Sequence, residues 1–172
     1  MSVARLAKTY GLILEFCGLI AAALVLAMTA LIVADVVLRN LFNTTIPASV
    51  ELTEYALFYA TTFAAPWLLR RGQHIRIDVL IARLAPKAGW RMEIACDLVG
   101  IALSLLLLWF STTMVLRSLN AQTLVVKNLI FAEWYVLWPL PVMFLLLSVE
   151  FAFRIQRLFA GPRQARREGG AV

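Results

Sequence analysis

Residues 12–34 read LILEFCGLIAAALVLAMTALIVA and residues 94–116 read IACDLVGIALSLLLLWFSTTMVL: two runs of 23 residues, each with one charge, Glu15 in the first and Asp97 in the second. At about 1.5 Å per residue, either run crosses a hydrocarbon core of about 30 Å as a helix. The rest of the 172-residue chain agrees with that reading. It is 62% hydrophobic and 15% charged, where a soluble domain is near half apolar and a quarter charged. Disorder is excluded, and a water-soluble globule would lack the polar surface to cover its core. The formal net charge of +6 would suit nucleic acid in a polar chain. Here the basic residues fall in bands at the ends of apolar segments, so the expected partner is the lipid bilayer and not nucleic acid.

Two further segments are apolar but shorter. Tyr55 to Leu69 has 15 uncharged residues and Trp134 to Val149 has 16, below the roughly 18 that a span usually needs. Extended to 50–69 and 129–153, they take in Glu51, Glu54, Glu133 and Glu150, which fit the headgroup level. The expected fold is an all-α integral membrane protein with four transmembrane helices at about 12–34, 50–69, 94–116 and 129–153. Thirteen of the 16 basic residues lie in the N-terminal segment, the middle loop and the C-terminal segment; Arg39, Arg117 and Lys127 lie on the other side. The positive-inside rule then puts both termini in the cytoplasm. Trp67, Trp90, Trp134, Tyr135 and Trp138 are placed as interfacial anchors.

No linker or repeat divides residues 1–160, which read as one membrane domain. Residues 161–172 form a basic cytoplasmic tail whose glycines and proline predict mobility. In the middle loop, apolar residues cluster among His74, Arg76, Asp78 and Arg83 ahead of Pro86. Residues 78–85 are expected to form a short amphipathic helix on the cytoplasmic membrane surface. The first segment has a signal-like basic start, but its apolar run exceeds a typical signal core and three more segments follow, so it is expected to be retained.

Enzyme chemistry has no positive sign. The single histidine, His74, excludes paired axial haem ligands within one chain. Cys17 and Cys96 lack a metal or redox spacing, and no GxSxG, P-loop or GxGxxG motif occurs. Neither a cofactor nor a metal is expected. Intramembrane carboxylates are the functional candidates by default. Asp35 with Arg39 and Glu150 with Arg154 stand four residues apart, where each pair can neutralise itself on one helix face. Glu51 and Glu54 open the second span. Glu15, Glu93 and Asp97 lie near the cytoplasmic ends of spans one and three. Interfacial or interhelical charge pairs are one reading of this set, and a proton or cation pathway is the other. Gly18 with Ala22, Ala23 with Ala27, Ala30 with Ala34 and Gly100 with Ser104 have the small-xxx-small spacing of close helix contacts. Pro139 and Pro141 are expected to interrupt or kink span four, and Pro66 to kink span two.

The run Asp35-Val36-Val37-Leu38-Arg39-Asn40-Leu41-Phe42, the pair Glu51 and Glu54, and above all Arg70-Arg71-Gly72-Gln73-His74-Ile75-Arg76-Ile77-Asp78 resemble the small membrane subunit of TRAP transporters, the DctQ family. The likeness runs through all four spans to about Phe159, with Glu133-Trp134 at the start of the last. It implies the scaffold subunit of a tripartite, sodium-coupled importer of organic acids in a bacterial inner membrane. The implied partners are a large TRAP membrane subunit and an extracytoplasmic solute-binding protein. Asp35, Arg39, Glu51, Glu54, Arg71, His74, Arg76, Asp78 and Glu133 become the candidate partner-contact or structural residues. The division of labour fits the sequence, which has no mid-span Lys or Arg to hold a carboxylate and no repeat to build a midplane site. Two other classes stay open. One is a small multidrug exporter using Glu15, disfavoured by the asymmetry of basic charge, and the other is a respiratory membrane anchor, which lacks haem ligands.

Overall fold

A computed structural model of the chain describes residues 2–71 and 86–160. The expected amphipathic helix at 78–85 and the basic tail at 161–172 lie outside these residues. Helix α1 runs Ser2–Phe42 and α2 runs Ser49–Arg70. Helix α3 runs Pro86–Ala121, followed by a hairpin of β1, Leu124–Val126, and β2, Ile130–Ala132. A single turn, α4, Trp134–Leu137, leads into α5, Pro139–Ala160.

Among the described residues, three helical stretches are long and apolar enough to cross a membrane: Thr9–Phe42, Ala88–Ala121 and Trp134–Phe159. The expected spans at 12–34 and 94–116 lie within the first two. The last corrects the expected 129–153. Ile130, Phe131 and Ala132 alternate their side chains and pair with Val126, Val125 and Leu124 in an antiparallel hairpin, so the apolar helix begins at Trp134. Pro139 opens α5 and Pro141 follows in its first turn, where a missing N–H costs nothing. The prolines therefore separate α4 from α5, and the long helix itself starts beyond that break. Expected span 50–69 forms the 22-residue helix α2, about 33 Å long. Its threonines, tyrosines and Pro66 leave it less apolar than the other three, so by composition three spans stand and a fourth is not established.

Chain reversals are built at special backbone positions. Asn43 (φ 51°) ends α1, Ala48 (φ 59°) precedes α2 and Gln122 (φ 47°) ends α3. After α3 the N–H groups of Gln122 and Thr123 donate to the carbonyls of Leu119 and Ser118, the paired bonds of a Schellman stop.

Helix α1 packs against α2, α2 against α5, and α5 against α3. On α1 the buried positions Leu14, Cys17, Ala21 and Asp35, with half-buried Leu24, Met28 and Leu31 between them, follow a three-four alternation. That period keeps one face on a single neighbouring helix. On α3 the pattern is inverted. Asp97, Ser104, Ser111 and Ser118, seven residues apart, are buried, while Leu106, Trp109 and Phe110 are exposed. An apolar solvent explains the inversion: leucine gains nothing by leaving lipid, whereas hydroxyl and carboxylate groups must find partners inside. Ser148 of α5 accordingly donates to Ser104 Oγ at 3.1 Å and to the Phe144 carbonyl at 2.7 Å.

Close helix approach is paid in glycine. A Cβ on Gly18 would stand 2.8 Å from the Trp67 ring, and one on Gly100 would stand 2.6 Å from the Phe151 ring. Gly18→Leu is therefore expected to force α1 from α2 at a cost of about 1–3 kcal/mol. The measurement is thermal unfolding in detergent, with the exposed Ala22→Leu as a control that leaves the midpoint unchanged.

Candidate functional site

Four of the carboxylates singled out in the sequence, Asp35, Glu51, Glu54 and Glu133, gather at one end of the helices, where α1 and α3 finish and α2 begins. Asp35 is buried and accepts from Arg39 Nη2 at 2.8 Å and from the backbone N–H of Ile46 at 2.8 Å. The first contact is the expected four-residue pairing. The second draws the α1–α2 connection back against the helix. Arg39 is exposed on the other side of the ion pair.

Glu51 is only 4% exposed. One oxygen accepts from the Tyr55 hydroxyl at 3.2 Å and the other from the backbone N–H of Leu129 at 3.1 Å. Leu129 lies in the turn of the β1–β2 hairpin, so a carboxylate in the first turn of α2 holds that hairpin in place. Glu54, one turn on, pairs with Lys127 of the same hairpin at 2.9 Å, in solvent. Hydrogen bonding to Glu54 and its charge push the Lys127 ammonium above its ordinary value. The Phe131 ring meets the Tyr55 ring edge-on at 5.3 Å. Glu133 accepts from Ser118 Oγ at 2.9 Å, and its N–H donates to the Thr123 carbonyl at 3.0 Å, closing the base of the hairpin. The structure thus brings Glu51, Glu54 and Glu133 onto one hairpin. Ser118 and Lys127, partners of Glu133 and Glu54, had no signal in the sequence, because those contacts join residues 15 and 73 positions apart; Tyr55, four residues after Glu51, follows the ordinary helical spacing.

A second polar cluster sits at the opposite end, between α3 and α5. Glu150, 1% exposed, pairs with Arg157. Arg154, four residues after Glu150, reaches across to Asp97 of α3 at 3.2 Å, with both side chains under 10% exposed. The expected Glu150–Arg154 pairing along one helix gives way to this crossed arrangement, because the i,i+7 position and the facing helix satisfy both charges. Glu93, one turn before Asp97, is also buried. Around the cluster, the Tyr10 hydroxyl donates to the Leu146 carbonyl at 2.7 Å, and Trp90 Nε1 donates to the Leu158 carbonyl at 3.4 Å. Arg71 is exposed and lies 4.3 Å above the Trp67 ring. Its neighbour Arg70 lies over the Tyr10 ring. His74, Arg76 and Asp78 fall outside the described residues.

Most of these groups pair with one another, and Glu150 Oε2 is buried without a hydrogen-bond partner among the described residues. Among the described residues, no cluster of three or more His, Cys, Asp or Glu is arranged to hold a metal ion. Among the described residues, the Ser118–Glu133 pair has no histidine to complete a nucleophilic relay. The middle turns of the helices, between the two charged ends, bury hydroxyls and no ion pair. Glu15 stands apart, exposed on the outer face of α1.

A family model described as "Tripartite ATP-independent periplasmic transporters, DctQ component" matches residues 28–161. No curated protein matches the chain.

Glu51→Ala would strand the Leu129 N–H, an expected loss of about 1–3 kcal/mol of local stability, read as faster amide exchange across residues 124–132. In Glu54→Gln the Lys127 ammonium is expected to titrate at lower pH, back toward its ordinary value near 10.5. Because the native value is raised, the tether is complete below the ordinary value and is lost as pH climbs through the raised one. Titration of Lys127 Nζ by NMR checks both sign and cause.

Proposed function

Because the chain belongs to the DctQ component family of TRAP transporters, which are transporter subunits and not enzymes, we propose that it is the scaffold subunit of a sodium-coupled importer of organic acids. It works with a large membrane subunit that carries substrate and ion sites, and with an extracytoplasmic solute-binding protein. The observation that carries the scaffold role is the placement of charge. A carboxylate crossing the membrane needs cations or open helix ends at mid-depth, and the described ionic groups of this chain stand at the two helix ends, most of them already paired.

Helix α2 is the fourth span in this reading. It packs between α1 and α5, and part of its polar load is covered there: Tyr59 donates to the Tyr135 carbonyl, and buried Thr62 returns its hydroxyl to the Phe58 carbonyl of the same helix. The band of arginines that includes Arg70, Arg71, Arg91, Arg154 and Arg157 marks the cytoplasmic side of an inner membrane. His74, Arg76 and Asp78, with the surface helix after them, would brace the large subunit there. On the opposite side, Arg39 and the Glu54–Lys127 pair are exposed and present polar groups toward the solute-binding protein. Asp35, Glu51 and Glu133 hold the loops beneath them.

Reconstituted alone in liposomes, the chain is expected to show no sodium-driven uptake of C4-dicarboxylates or sugar acids, and to co-purify with the large subunit when co-expressed. Uptake by the isolated chain would overturn the scaffold role. Reporter fusions at Val172 and near Thr44 are expected to place those sites inside and outside respectively.

A further inference from the structure

Two broad apolar faces of the bundle have no partner among the described residues, and they differ in charge. The exposed face of α3 is built of large side chains, among them Leu105, Leu106, Trp109 and Phe110, with no charge from residue 98 to 116. The exposed face of α1 carries Phe16, Leu19, Ala23, Leu26, Ala30 and Val33, again in three-four alternation but on the side opposite its α2 seam. Small residues there let a second backbone approach closely. Ala27 and Ala34 beside them are exposed as well.

Among the described residues of this face, one charge stands beside the apolar stripe. Glu15 is exposed, flanks Phe16 and lies one turn above Leu19. It is four residues, about 6 Å, inward of Gly11, the position against which the Arg70 guanidinium rests. In the heptad defined by Phe16, Leu19, Ala23 and Leu26, residue 15 occupies a flanking position of the kind that selects partners by charge. Acyl chains offer a carboxylate nothing, so the α1 face is matched to protein while the α3 face is matched to lipid. A second copy of this chain inserted in the same direction would set Glu15 beside its own counterpart, which like charge disfavours.

We infer that the outer face of α1 is the docking surface for a membrane-spanning helix of the large transport subunit, and that this helix presents a lysine or arginine to Glu15. The inference rests on the subunit reading above and adds which face is used and by what chemistry.

The test uses the assembled transporter in membranes, with a benzophenone amino acid at position 27 on α1 or at position 106 on α3. Position 27 is expected to give an adduct with the large subunit, and position 106 an adduct with lipid. In the same preparation Glu15→Lys is expected to lower recovery of the large subunit about tenfold or more, since it faces like charge to like, while Glu15→Gln lowers it less. Three results would overturn the inference while the complex stays intact. These are no large-subunit adduct from position 27, an adduct from position 27 to a second copy of the chain, or unchanged recovery with Glu15→Lys. Failure of the unsubstituted chain to co-purify with the large subunit would instead remove the subunit reading on which it rests.

Discussion

The Asp97–Arg154 ion pair shows the constraint under which the whole molecule is built. Both side chains are almost fully buried between α3 and α5, in a chain whose outer surface is made for lipid. Breaking a buried pair of this kind costs about 3–5 kcal/mol. The helix pair is therefore set in one register and rotation. Ser104, Ser111 and Ser118 follow Asp97 on the same stripe, and Ser148 of α5 meets Ser104. Glu150 and Arg157 pair along α5 itself, on either side of Arg154. Once the polar stripe is turned inward, the leucines and aromatics of α3 have only the outside to occupy.

A different physics joins α1 to α2. There the seam is Leu14, Cys17 and Ala21, and Gly18 admits the Trp67 ring, so close packing replaces ion pairing. The two helix pairs meet through α2 and α5. The β1–β2 hairpin adds a second link between them, since it follows α3 in the chain yet is bonded to Glu51 and Glu54 of α2. With helix ends tied across the bundle by Glu51 and Glu54, the two helix pairs resist sliding past one another.

Much of this was legible in the sequence because membrane helices announce themselves locally. The two 23-residue runs became the cores of α1 and α3, and Asp35 with Arg39, one turn apart, met as the spacing requires. Legibility failed where apolar character and helix parted company. Ile130 to Ala132 is as apolar as a span but forms a strand, because Gln122 stops α3 and the residues beyond it offer a partner strand. The α2 segment is a different case: residues 50–69, expected as a span, form a 22-residue helix, but its polar side chains leave it short of the apolar character of the three candidate spans.

The sequence by itself determined the solvent, the number of apolar segments, the band of basic charge and the family, since each depends on composition or on residues within one or two helical turns. Only the tertiary structure decided what each charge is for. Glu51 turned out to hold a hairpin 78 residues away, Arg154 chose Asp97 of another helix, and Glu15 was left on an outer face. The reason is that a buried charge takes the best partner in space, and the distance between two helix faces is not written in the spacing along either one.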